Sequence, residues 1–214
     1  MPFSDYKTIS QVQTEHNIRY EESGFMQINP VEISQQFREE MGFTIKNLDA
    51  FSSEAARCEL IILPVLREAY KNFHGKFSLW VQKSISYDAR LNGTPDYIVS
   101  KRSNLGKTVL EYPLVIIAEA KKNDFGEGWA QCLAELVAAR KINENAGISA
   151  ESNVYGIVTD GKYWEFGALE GNNTFTKNGK SFSIDDLPGL FGGLDYIFSL
   201  AELEISDVGV QAID

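Results

Sequence analysis

Apolar residues change their spacing several times along this chain, and each change marks an expected element. In Phe77-Ser-Leu-Trp-Val-Gln-Lys-Ser-Ile-Ser-Tyr87, apolar and polar positions alternate as on a half-buried strand. After a connection from Asp88 to Gly93, the runs Asp96-Tyr-Ile-Val-Ser100 and Leu114-Val-Ile-Ile-Ala-Glu-Ala-Lys-Lys122 read as a hairpin, with Lys101 to Lys107 as its loop. Asn153-Val-Tyr-Gly-Ile-Val-Thr159 and Lys162-Tyr-Trp-Glu-Phe-Gly167, joined by Asp160-Gly161, form a second hairpin. Helical spacing replaces alternation at Ile61, Ile62, Val65, Leu66 and Ala69, behind a Ser52-Ser53-Glu54 start. It predicts a helix to about Tyr70 or Phe73, disturbed at Pro64. Another helix follows the break from Asn123 to Gly128 and runs to about Arg140 or Ile142. Trp129, Leu133, Leu136, Val137 and the Arg140 stem share its apolar stripe, whereas Gln131 and Glu135 fall on another side, one turn apart.

The flanks carry weaker patterns. Residues 1–30 have no sustained period and read as an extended or strand-like lead-in. Val31 to Met41 reads as a short helix begun after Asn29-Pro30 and stopped by Gly42. Residues 171–184 read as a turn and an edge strand, and Asp185 to Leu200 as a final short helix before an acidic tail. Strands and helices in this succession predict an α/β class, with a central mixed sheet of roughly four to six strands flanked by helices. The expected division is an extension over 1–50 packed on or beside the core, a domain over 51–200 and a tail over 201–214.

A 43% apolar fraction with 12% aromatic residues fits a globular chain and excludes a disordered one. No apolar run approaches a membrane span, and the N-terminus lacks the basic-then-apolar build of a signal peptide, so a cytoplasmic protein without a membrane partner is expected. Cys58 and Cys132 lack zinc-site spacing and read as small buried hydrophobes, while His16 and His74 stand alone. With 20 basic and 30 acidic residues the net charge is −10, which disfavours tight binding to duplex nucleic acid by the whole surface. Locally the balance reverses: Lys101, Arg102, Lys107, Lys121 and Lys122 face only Glu111 and Glu119 between residues 101 and 122. The Lys101 to Lys107 loop therefore suits a flexible flap beside a polyanion.

Chemistry concentrates in the first hairpin. Asp96 starts one strand and Glu119 and Lys121 finish the other, so pairing gathers all three at one end. On the pleat, Ile117, Glu119 and Lys121 share a face, and Ala118 and Ala120 take the other.

Pro95-Asp96, followed farther on by Glu119-Ala120-Lys121 at the end of an apolar strand, resembles the PD-(D/E)XK motif of the restriction-endonuclease-like nuclease superfamily. The run Glu54-Ala-Ala-Arg57-Cys-Glu59-Leu60-Ile61-Ile62-Leu63-Pro64 resembles the opening helix of the nuclease domain in type I restriction enzyme motor subunits. The Thr159-Asp160-Gly161 turn with its Trp164-containing strand resembles that domain's closing hairpin. The resemblance implies a restriction-endonuclease-like core and Mg²⁺-dependent hydrolysis of DNA phosphodiester bonds, with Mn²⁺ as a substitute ion. Asp96 and Glu119 would hold the metal, joined by the Ala120 carbonyl, as suits a hard cation with oxygen ligands. Lys121 would be the catalytic lysine, and Glu54 or Glu59 an auxiliary acid reaching the metal. Gln131 matches the Gln of a Gln-x-x-x-Tyr signature common in the superfamily, but Glu135 stands where the Tyr would be. DNA is the implied partner, with a homodimer or a larger protein partner as further expectations. The alternative is a catalytically inactive nuclease-like fold acting as a binding or assembly module. Neither a P-loop nor a helicase motif occurs, so the resemblance stops at the nuclease module.

Overall fold

The computed structural model describes residues 2–121 and 124–206. Lys122, Asn123 and residues 207–214 of the expected acidic tail lie outside the described residues. In chain order the structure comprises α1 (Ile9–His16), β1 (Arg19–Ser23), α2 (Gln35–Asn47), α3 (Glu54–Arg57), a π-helical turn (Cys58–Ile62) and α4 (Leu63–Tyr70). There follow β2 (Phe77–Val81), β3 (Ile85–Ser86), β4 (Asn92–Gly93), β5 (Tyr97–Lys101), β6 (Leu114–Ala120) and α5 (Phe125–Asn145). The chain continues with β7 (Val154–Thr159), β8 (Tyr163–Leu169), β9 (Thr174–Asn178), β10 (Phe182–Ser183) and α6 (Leu187–Ser206). Among the described residues no helix is long and apolar enough to cross a membrane.

The class is α/β, and the sheet is larger than the pattern suggested: among the described residues it has eight strands, in the order β1-β9-β8-β7-β6-β5-β2, with β10 beside β8. It is mixed, because β6 runs parallel to β7 and β1 parallel to β9, while the other pairs are antiparallel. One face, bearing Tyr97, Ala118, Ile157 and Phe166, packs on residues of α2, α4 and α6. The other, bearing Ile98, Ile117, Val158 and Phe175, packs on α5, with Val12 of α1 in the same cluster. Covered on both faces, β6 has all seven residues buried, which is why its sequence is almost continuously apolar.

The weakly patterned flanks hold the largest corrections. Residues 1–30 are not simply extended: Thr8 caps α1, accepting from the Gln11 N–H while the Gln11 side chain accepts from the Thr8 N–H. That Thr8-x-x-Gln11 capping box was present in the sequence. The helix expected over Val31 to Met41 instead starts after Ser34 and runs through Gly42 to Asn47. Ser34 accepts from the Phe37 N–H, and buried Phe37 and Met41 hold one face against the core, so packing overrides the glycine. The strand expected from Phe77 to Tyr87 ends at Val81, where Gln82 takes a φ of 47°. β9 is not an edge, since β1 pairs along it and takes that place. The final helix passes Leu200 to Ser206, so residues 201–206 of the expected tail are helical.

The helix from Glu54 behaves as its composition implies. Ser53 caps it by accepting from the Ala56 N–H at 3.0 Å. Pro64 has no N–H to offer, and just ahead of it the Leu63 N–H reaches back five residues to the Cys58 carbonyl, widening one turn. Arg57, 7% exposed, donates to the Asp160 carbonyl at 2.9 Å and the Phe51 carbonyl at 2.8 Å. These bonds tie the start of the helix to the β7–β8 turn, at the end of the sheet where Ala120 pairs with Thr159.

Candidate active site

The register of β5 and β6 assembles the site. Tyr97 pairs with Ala118, so Asp96, one residue earlier, stands across from Glu119, one residue later. Directly opposed residues bring their Cβ atoms to about 5 Å. Ile117 lies in the α5-side core and Ala118 and Ala120 in the opposite one, so Glu119 is turned toward α5. The backbone around both acids is fixed: the Gln82 N–H donates to the Asp96 carbonyl at 2.8 Å, and the Lys121 N–H to the Thr159 carbonyl at 2.9 Å. Asp96 Oδ2 accepts from the Ala120 N–H at 2.9 Å, orienting that carboxylate across the strand pair.

Lys121 Nζ lies 3.4 Å from Glu119 Oε1. Its stem runs beside the first turn of α5, where Gly128 is required: a Cβ there would lie 2.7 Å from Val158 Cγ1 and 3.1 Å from Lys121 Cγ. Burial works against the lysine's charge, but the Glu119 and Glu54 carboxylates outweigh it and raise its pKa. Burial, followed by the Asp96 charge, pushes Glu119 up to about 8 against the pull of Lys121. Asp96 is likewise raised, chiefly by burial, with the Ala120 N–H opposing and Glu54 adding to it.

Of the two candidate auxiliary acids, both exposed, Glu54 is the one whose charge bears on Asp96, Glu119 and Lys121. The Glu59 charge acts instead on Tyr97. Both border an open cleft of about 260 Å³, with Cys58, Gln82 and Asp96. Cys58 is only half-buried, while Cys132 is fully buried as expected, and both are free thiols. Burial and then the Asp96 charge push the Cys58 thiol up to about 11, which makes it a poor nucleophile.

Two expectations change. The basic loop after Lys101 is not beside the site. β5 runs from Asp96 toward Lys101, so the loop leaves the sheet at the opposite end, roughly 15–20 Å away at about 3.3 Å per residue. The site end instead carries Lys121, with Lys83 following β2 and Lys162 in the β7–β8 turn.

The helix α5 also lacks a polar face at Gln131 and Glu135. Glu135 is fully buried, and Gln131 is half-buried with its Oε1 shielded from solvent. Burial, and then the Glu119 and Asp96 charges, hold the Glu135 carboxyl well above the usual carboxylate range, with the Gln131 amide partly opposing. A sequence signal existed: from Gly128 to Ala139 every other residue is apolar or glycine, as in a helix buried all round.

Among the described residues no three His, Cys, Asp or Glu side chains are gathered so as to hold a metal ion as they stand. What the site offers is an opposed acid pair. Its donors are oxygens, and Glu119 Oε2 is buried without a hydrogen-bond partner among the described residues. That donor chemistry fits a hard divalent cation such as Mg²⁺ or Mn²⁺. Compared with known proteins, the chain matches no family model and has no significant match to a curated protein.

Proposed function

We propose that this chain is a metal-dependent nuclease of the restriction-endonuclease-like PD-(D/E)XK type, hydrolysing DNA phosphodiester bonds. The observation that carries the reading is the register that opposes Asp96 and Glu119, with Lys121 one pleat further along the same face. Asp96 and Glu119 would hold the cation, and Glu54, whose charge acts on both, would be the auxiliary acid. A divalent cation bound there supplies positive charge against the scissile phosphate and acidifies water. Lys121, held charged by Glu119 and Glu54, positions the attacking water and offsets the negative charge that grows on the phosphoryl oxygens. Glu119 must give up its proton as the cation enters, and the upward shift of Asp96 acts in the same sense, so occupancy is favoured toward alkaline pH.

The test is cleavage of supercoiled plasmid by purified protein in Mg²⁺ or Mn²⁺, compared with Asp96→Asn and Lys121→Ala. Either substitution is expected to abolish cleavage while leaving the circular dichroism spectrum intact. Equal cleavage by all three proteins sinks the assignment.

One observation favours a second reading, a nuclease-like fold that binds or assembles without catalysis: the acids do not converge on one centre as they stand. Wild-type protein that takes up no Mn²⁺ supports that reading instead.

A further inference from the structure

Glu135 is a buried acid that the motif reading leaves without a task. It lies on α5 with 0% exposure, in the middle of the layer that covers the Glu119 face of the sheet. Neither of its carboxylate oxygens has a hydrogen-bond partner among the described residues, and no ion pair there reaches it. Burial without a partner keeps this carboxyl protonated, and even the neutral acid costs free energy when its polar atoms leave water unpaired. A leucine or methionine would fill the same place in an otherwise apolar helix at no such cost.

The direction of its surroundings gives the reason. The charged groups acting most strongly on Glu135 are Glu119 and then Asp96, with Lys121 beyond them. Glu119 Oε2 is also shielded and unpartnered among the described residues. Unsatisfied acid oxygens from β6 and from α5, which covers that face of the sheet, thus act on one another through the protein interior, and Gln131 Oε1, one turn from Glu135, is also without a partner among the described residues. The Cys132 thiol, its pKa raised by burial and then by the Glu135 and Glu119 charges, is spent on the backbone: Sγ lies 4.0 Å from both the Ile117 and Ile157 carbonyls. The unpartnered donors are oxygens, which suit a hard divalent cation.

We propose that Glu135 is a further carboxylate ligand of the cation site built on Asp96 and Glu119, reaching it from α5. The proposal rests on the metal-dependent reading of that pair. Because three acids are not gathered as they stand, cation entry must draw Glu135 and Glu119 together by rotation about their side-chain torsions. Glu135 thereby adds to the strand acids a ligand from the covering helix, so that cation binding fastens α5 to β6.

Isothermal titration with Mn²⁺ alone, on full-length wild type, Glu119→Gln and Glu135→Gln at one pH, tests this. Wild type is expected to bind, Glu119→Gln to lose binding, and Glu135→Gln to bind at least about tenfold more weakly. Glu135→Gln binding as tightly as wild type overturns the proposal and leaves the Asp96–Glu119 reading standing. Wild type that binds no Mn²⁺ overturns both. A wild-type crystal soaked in Mn²⁺ gives an answer independent of how the variants fold. Anomalous density within about 2.0–2.4 Å of a Glu135 oxygen supports the proposal, and density held by Asp96 and Glu119 alone refutes it.

Discussion

Replacing Glu119 by glutamine removes a carboxylate whose burden on the fold depends on pH, and the size of that dependence follows from where the group sits. Glu119 is 3% exposed and faces Asp96 across the strand pair, and its pKa rises from the ordinary 4.5 to about 8. The folded form therefore holds the proton more tightly than the unfolded chain. The stability contributed by that proton is fully present below pH 4.5 and is lost as pH climbs through 8. Each pH unit inside the window corresponds to about 1.4 kcal/mol. Between pH 5 and pH 8, after allowing for partial titration at both ends, wild type should lose about 3 kcal/mol from this group alone. Glu119→Gln keeps the shape and polarity but has no proton to release. Urea unfolding in EDTA at the two pH values should show the variant's stability relative to wild type rising by about 3 kcal/mol from pH 5 to pH 8. Asp96 and Glu135 are also raised and add slopes of the same sign to both proteins, less in the variant because the Glu119 charge is gone. A stability difference that is the same at both pH values would refute the argument that Glu119 is held protonated by burial and its acidic neighbour.

Two further outcomes check other parts of the account. Lys162→Glu, at the site end of the sheet, should weaken binding of a labelled DNA duplex several-fold at low salt, whereas Lys107→Glu, in the far loop, should leave it unchanged; the reverse ranking in an anisotropy titration would return the loop to the DNA side. Asn143→Ala should cost about 2–4 kcal/mol in urea unfolding. Asn143 is buried and both accepts from the Leu114 N–H and donates to the Leu114 carbonyl at 2.8 Å, so its loss leaves two strand-end groups unpaired. A loss under about 1 kcal/mol would mean that other groups satisfy them.

How much of this was legible in advance divides along the range of the forces involved. Alternation along Asp96 to Ser100 and Leu114 to Ala120 determined which side chains share a face, and hence that Glu119 and Lys121 lie together, because a pleat leaves only two directions. The Asp160-Gly161 pair marked the β7–β8 turn. The tight pair of residues is Gly161 and Lys162, with Gly161 at a φ of 84° and Asp160 Oδ1 accepting from the Lys162 and Tyr163 N–H groups. Pro64 announced a disturbed helix, though not that the disturbance would be a π turn.

Long-range packing decided the rest. β1 pairs with β9 across most of the chain's length, so no local pattern in Arg19 to Ser23 could reveal it or show that β9 is not an edge. The basic loop was misplaced because charge counted along a sequence ignores that a strand carries its two ends to opposite sides of a sheet. Helical spacing puts Gln131 and Glu135 off the apolar stripe of α5, but it does not show that this second side is covered as well. With the sheet beneath it and α1 in the same core, α5 is buried through most of its length. Hydrophobic periodicity thus specified the strands, the main helices and the faces they present. Only the closing of one layer over another determined which polar residues were taken out of water, and that step buried Glu135 in the layer that covers the Glu119 face of the sheet.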